Sequence, residues 1–232
     1  MEKDYKDLVA FWNKSFQISE EDKKQLSNSS FKEDDYKDLA PASELYEALT
    51  LFKNKAKVLD YGAGNGWASI IMAKSGVKKV ISVDVAESAK DVTSLYSEAF
   101  NVSSKVNAIT IDSNWLKEQE DEAFDGMFCS NVLDVIPFDM AKEIIKESYR
   151  ITKKDATVIF SFNYYIDPHK MEERGFRVDG SLIYIDGVLR LNSISDNGWM
   201  DELKKYYQDI DLKYFNWPGE KEKTRRLFIL KR

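Results

Sequence analysis

The sequence predicts an α/β fold, a doubly wound and mostly parallel sheet with an antiparallel C-terminal strand pair, N-terminal helices and an inserted β-hairpin. Three observations predict it. Between residues 57 and 162, short apolar and β-branched runs alternate with stretches of helical spacing, the pattern of βαβ units. Gly62, Gly64 and Gly66 stand directly behind the first of those runs. After residue 175, the pairs Asp179-Gly180 and Asp186-Gly187 cut the chain into hairpin-sized pieces.

Taken in order, Tyr5, Leu8, Val9, Trp12 and Phe16 fall on one apolar stripe of a first helix. Residues 19–35 are polar and read partly as loop. Leu45, Ala48, Leu49 and Phe52 repeat the helical spacing after Pro41, a residue suited to a helix's first turn. Strands are expected at 57–61, 79–83, 106–111, 124–129 and 156–162, with helices at 66–75, 88–100 and 138–151. Right-handed crossovers then wrap helices over both faces of a parallel sheet. LIYI and VLRL flank Asp186-Gly187 as a hairpin through a type I′ turn. A helix over 196–206 leads to IDLKYFNW and RRLFILK, two strands close enough to pair antiparallel.

With 232 residues the chain suits one sizeable domain. It divides into helices over 1–44 that cover the sheet edge, a ligand-binding core over 45–165, and a hairpin with final strands over 166–232. The net charge of −6 shows no basic face, so no nucleic-acid partner is expected. The basic cluster of the last dozen residues reads as a solvated strand edge. Cys129 is the only cysteine, which forbids an internal disulfide and points to a reducing, cytoplasmic location. The opening MEKDYKDLVAFW is charged where a signal peptide needs an apolar core, and no apolar run reaches the ~18 residues of a membrane span. One histidine and one cysteine make no usual zinc site. Oligomeric state is not legible.

A strand, a glycine turn and a helix N-terminus place a ligand at the carboxyl edge of a parallel sheet. A dinucleotide site wants G-x-G-x-x-G, with its third glycine letting helix and strand approach. Here the spacing is G-x-G-x-G, and Trp67 stands where that third glycine would be. Its bulk argues against NAD.

VLDYGAGNG (58–66), ISVDVAES (81–88) and FDGMFCSNVLDVIP (124–137) together resemble three motifs of the class I S-adenosylmethionine-dependent methyltransferases, whose fold is Rossmann-like. The resemblance covers roughly residues 45 to 165. It implies S-adenosylmethionine as cofactor, approached by the backbone of Gly62, Ala63, Gly64 and Gly66 without Cβ collisions. Asp60 then faces the cofactor's ammonium or a water on it, and Asp84 accepts both ribose hydroxyls. Val85 packs an adenine face, Asp112 with Ser113 and Asn114 meets the adenine amino group, and Ser130 and Asn131 pass beneath the methionine and sulfonium. The competing readings are local: Asp84 as a helix cap, the 112–114 trio as a cap before Trp115, and Cys129 as a buried small residue.

Methyl transfer is an in-line displacement at carbon, so positioning and desolvation are most of the protein's task. A general base is needed only for a nucleophile that still holds its proton. His169, the sole histidine, and Asp134, where relatives often carry a histidine, are the candidates. Tyr164 and Tyr165, with Trp12 or Trp67, are the expected walls for an apolar, aromatic or cationic acceptor. The expected activity is methyl transfer to an oxygen or nitrogen of a small molecule. An RNA or protein acceptor, or a non-catalytic cofactor-binding module, would use the same cofactor residues.

Overall fold

Each apolar run becomes a strand or a buried helix, and the computed structural model describes residues 2–29 and 31–232. Helix α1 (Glu2–Ser15) carries the predicted apolar stripe. The polar stretch after it is more ordered than its composition indicates. Helix α2 (Glu20–Ser27) begins at a capping box in which Ser19 and Asp22 satisfy each other's backbone donors. A 3₁₀ turn (Asp35–Leu39) leads to α3 (Ser43–Thr50), whose N-cap is Ala42. Pro41 therefore lies before that helix and not in its first turn.

The core alternates as expected: β1 (Lys57–Tyr61), α4 (Trp67–Lys74), β2 (Lys79–Asp84), α5 (Glu87–Ala99), β3 (Val106–Thr110), β4 (Phe124–Ser130), α6 (Phe138–Ile151) and β5 (Thr152–Phe162). Strand β5 starts four residues earlier than predicted. Three charged, exposed positions, Lys153–Asp155, extend it toward solvent. Then come α7 (Pro168–Glu173), β6 (Arg177–Asp179), β7 (Leu182–Ile185), β8 (Val188–Asn192), α8 (Asp196–Leu203), β9 (Asp209–Phe215) and β10 (Arg225–Lys231).

Seven strands form one sheet in the order β3-β2-β1-β4-β5-β10-β9. All are parallel except β10, which pairs antiparallel with both β5 and β9. Strand β9 therefore runs with the parallel set, and its carboxyl end reaches the same edge as those of β1 and β4. Two apolar layers sandwich the sheet. One holds α3 and α4 against Val58, Val80 and Ile159; the other holds α6 and α8 against Leu59, Met127 and Phe160. The alternation of Val58 and Leu59 between layers is the period of two that a strand imposes.

Strands β6, β7 and β8 make a second, three-stranded antiparallel sheet. Asp186 (φ 52°) and Gly187 (φ 78°) both take positive φ, as the type I′ turn requires. The first Asp-Gly pair turns differently: Asp179 still pairs with Leu182 in the sheet, and of the pair only Gly180 takes a positive φ, at 58°. This hairpin is fastened to the sheet edge: Asn192 N donates to Asp134 O at 2.7 Å. Helix α1 lies across the top, where the Arg190 guanidinium of β8 sits 4.1 Å from the Phe11 ring centroid. On its other side Asn13 Oδ1 accepts from Ser88 N at 3.0 Å, at the start of α5.

Candidate active site

The sheet order reverses at β1, with β2 on one side and β4 on the other, which opens a crevice at their carboxyl ends. There the structure forms a half-open cavity of about 880 Å³. Its floor is the glycine turn behind β1. Gly62 N and Ala63 N donate to Val83 O at 2.8 and 3.0 Å, tying the turn to β2. Gly62 and Gly64 take φ of 72° and 56°, where a side chain is strained. Space forbids one as well. A Cβ on Gly62 would lie 2.1 Å from Val132 Cγ2, and one on Gly64 would lie 3.0 Å from the Phe16 ring.

Asp84 joins this floor to β2. Its Oδ2 accepts from Gly64 N and its Oδ1 from Ala86 N, both at 2.9 Å. Burial pushes its carboxyl up, and the backbone donors at Ala86 and Gly64 oppose that shift. Asp84 also lines the cavity; its bond to Ala86 N reaches the N-cap residue of α5, which has no side-chain cap bond of its own. Gly62, Ala63, Gly64, Val85, Ser113, Asn114, Ser130 and Asn131 line it too, with Trp12 and Trp67. Asn131 has φ 55°, and its Nδ2 is buried without a hydrogen-bond partner among the described residues.

Seven predicted residues lie elsewhere. Asp60 sits behind the turn, where its Oδ2 accepts from Ser69 Oγ at 2.6 Å; burial pushes its carboxyl up to about 7. Gly66 is the N-cap of α4 rather than a lining residue, and its missing Cβ leaves room for Thr93 of α5. Asp112 is exposed and folds onto its own turn, accepting from Asn114 N at 2.8 Å. Asp134 is wholly buried and takes two bonds from Asn163, N at 2.6 Å and Nδ2 at 2.9 Å. It is a structural tie, not a base facing the cavity. His169 is exposed in the first turn of α7 and outside the cavity. Tyr164 and Tyr165 are exposed and line a separate pocket of about 340 Å³ with Tyr214 and Asp196. Cys129 is buried as expected, and burial raises its thiol.

The walls that sequence reasoning missed come from both ends of the chain. Tyr5, Leu8, Val9 and Phe16 reach in from the N-terminal segment, and Trp217 with Pro218 from the loop after β9. The signal for Trp217 was the direction of β9, whose carboxyl end faces the ligand edge. Charged side chains line the cavity at Asp84 on its floor and at Asp139, Glu143 and Lys117, the last 3.9 Å from Glu143, with Asp139 and Glu143 carried by α6 at the end away from the layer of α3 and α4. Burial raises the Tyr5 hydroxyl, and the charges of Asp112 and Asp84 raise it further. The other end, built on the layer of α3 and α4, is apolar: Leu39, Pro41, Trp67, Trp217 and Pro218.

Residues 58–155 match the family described as a methyltransferase domain. Over 106 residues, 45% of the chain, the sequence is 29% identical to a ubiquinone biosynthesis O-methyltransferase of Neisseria meningitidis serogroup A, covering 43% of that protein. Over 183 residues, 77% of the chain, it is 25% identical to protein arginine N-methyltransferase 1 of Saccharomyces cerevisiae, covering 44% of that protein. The chain spans less than half the length of these relatives. Among solved structures, a protein from Pyrococcus horikoshii OT3 superposes with a TM-score of 0.63 at 21% identity, over 77% of this chain and 82% of that one. An O-methyltransferase family protein from Burkholderia thailandensis gives 0.63 at 11% identity, over 86% and 59%. Both likenesses are of fold.

Proposed function

The chain belongs to the class I S-adenosylmethionine-dependent methyltransferase family, and from that premise we propose that it transfers a methyl group to an oxygen or nitrogen of a small-molecule acceptor. The observation that carries the proposal is the Asp84 carboxylate bonded to Gly64 N on the floor of the cavity. The residues present fit the cofactor. The glycine turn leaves its backbone bare, Asp84 keeps lone pairs for hydroxyl donors, and Asn131 Nδ2 is a buried donor in need of an acceptor. S-adenosylmethionine, when bound, supplies an activated methyl group on a sulfonium already disposed to leave.

The protein's own part is to hold, exclude and aim. Asp84 takes the ribose hydroxyls, and Val85, Ser113 and Asn114 border the adenine. Ser130 and Asn131 pass beneath the methionine portion, with Asn131 Nδ2 available to its carboxylate. Asp60, tied to Ser69, fixes the strand from which the turn springs. Residues 1–44 act as the lid: Trp12 and Phe16, stacked at 5.8 Å, cover the glycine turn and keep water from it. The ubiquinone-biosynthesis relative, by its name an O-methyltransferase, is in keeping with a small acceptor.

Calorimetric titration with S-adenosylmethionine and S-adenosylhomocysteine, with NAD as control, tests the proposal. Binding of both at about micromolar strength, and none of NAD, is expected. Silence from both would remove the cofactor assignment, and cofactor binding without methyl release from any acceptor would leave a binding module.

A further inference from the structure

The acceptor end of the cavity has a chemistry of its own. Leu39, Pro41, Trp67, Trp217 and Pro218 bring no charge to it. Trp67 meets Phe128 edge-on at 5.6 Å, which sets its plane. Trp217 is fixed from behind. The Arg225 guanidinium lies 3.5 Å from its ring centroid, while Glu220 Oε2 accepts from the Trp217 backbone N at 2.8 Å. Arg225 in turn donates to both oxygens of Glu220, and through Nη1 to Asn163 Oδ1 at 2.6 Å. Asn163 holds Asp134, a few residues beyond Asn131, so one network joins the walls that follow β4, β5 and β9.

Resting on the methyl-transfer reading above, we infer that the acceptor is an uncharged planar ring carrying its nucleophile as a ring nitrogen, seated between Trp67 and Trp217. Three facts select it. The carboxylate beside Trp217, that of Glu220, already has both oxygens on Arg225, and Arg225 also occupies one face of Trp217, which weakens that ring's pull on a second cation. An anionic acceptor meets Asp84, Asp139 and Glu143 on the cavity lining, and Lys117, the one lining cation among the described residues, lies beside Glu143. The nucleophile must also attack without help. Among the described residues the titratable groups of the cavity stand at its charged end or, like Tyr61, are raised by burial; His169 and Asp134 are outside it. A heteroaromatic nitrogen holds a free lone pair at neutral pH. That pair forms the N–C bond as the C–S bond breaks, the bonding electrons leave on sulfur, and the positive charge passes from sulfur to nitrogen with no proton removed.

The test uses the full chain with S-adenosylhomocysteine bound and bicyclic probes matched in shape: isoquinoline, 1-naphthoate and 1-naphthylmethylamine. Quenching of tryptophan fluorescence should show isoquinoline binding about tenfold or more tighter than either charged probe. Trp217→Ala should lose about tenfold in isoquinoline affinity and Trp217→Phe far less, both keeping S-adenosylhomocysteine affinity within about twofold. With S-adenosylmethionine, N-methylisoquinolinium should form at a rate flat from about pH 7 to about pH 9. Tighter binding of a charged probe, no binding of any ring, or turnover of 1-naphthol alone at a rate climbing with pH would each overturn the inference and leave methyl transfer standing. Failure to bind S-adenosylhomocysteine would overturn both.

Discussion

Asp60→Asn should stabilise the protein in base and leave it nearly unchanged in acid. The carboxylate ends β1, is 2% exposed, and accepts from Ser69 Oγ at 2.6 Å, with the charge of Asp84 also acting on it. Desolvation dominates and pushes its carboxyl from 3.8 up to about 7. In the folded state Asp60 therefore keeps a proton that the unfolded chain releases near 3.8. Stability from this group is fully present below about pH 4 and is lost as pH rises through about 7. The gap between 3.8 and about 7 corresponds to about 4 kcal/mol at most, at ~1.36 kcal/mol per decade. Asparagine keeps an oxygen for Ser69 and never ionises. Urea denaturation of both proteins at about pH 5 and about pH 8.5 measures the effect, with the difference between variant and wild type cancelling every other titration. That difference should widen toward base by about 2 to 4 kcal/mol. A difference that is flat with pH would mean Asp60 ionises normally in the folded protein, and the account of its burial would fail.

Other substitutions probe the cavity directly. Asp84→Ala should weaken S-adenosylhomocysteine binding by about tenfold or more in calorimetry, because it removes the proposed ribose acceptor and leaves Gly64 N without its partner. Gly62→Ala forces a Cβ to 2.1 Å from Val132 Cγ2 at φ 72°, and should cost about 2 kcal/mol in thermal unfolding. His169→Ala should leave turnover unchanged and stability within about 0.5 kcal/mol, since the ring is exposed outside the cavity. Asn13→Ala removes the side-chain tie to Ser88 N and should loosen α1 by about 1 kcal/mol, read as faster proteolysis near Phe16.

Periodicity located the strands because central parallel strands are buried on both faces and leave continuous apolar runs, as in Val58 and Leu59. The type I′ turn was legible since Asp-Gly is among the few pairs that readily take two positive φ values in a row. Helix α2 was not, because its stability lies in a capping box and not in an apolar face; no residue of it is buried. In the site, Asp84 and the glycines were readable from strand ends, where backbone direction alone fixes position. Side chains placed by tertiary folding were not. Asp134 points into a network with Asn163, Tyr164 and Tyr165 turn away from the cavity, and Trp217 arrives from a loop more than two hundred residues from Trp12 in sequence. Asp112 shows the limit most clearly: its neighbours Ser113 and Asn114 face the cavity while its own carboxylate satisfies a local turn.

Strand β10 follows β9 in the chain yet lies inside it in the sheet, between β9 and β5. During synthesis, β5 therefore leaves the ribosome with its outer edge unpaired, and that edge stays open until Arg225–Lys231 has emerged. The segment waiting there includes Val158, Ile159 and Phe160, all fully buried in the finished protein. A half-made chain thus presents an apolar ribbon that can pair with another half-made chain. The same late strand brings Arg225 to Trp217, so the interval of greatest aggregation risk and the interval before the acceptor wall is set close at one moment.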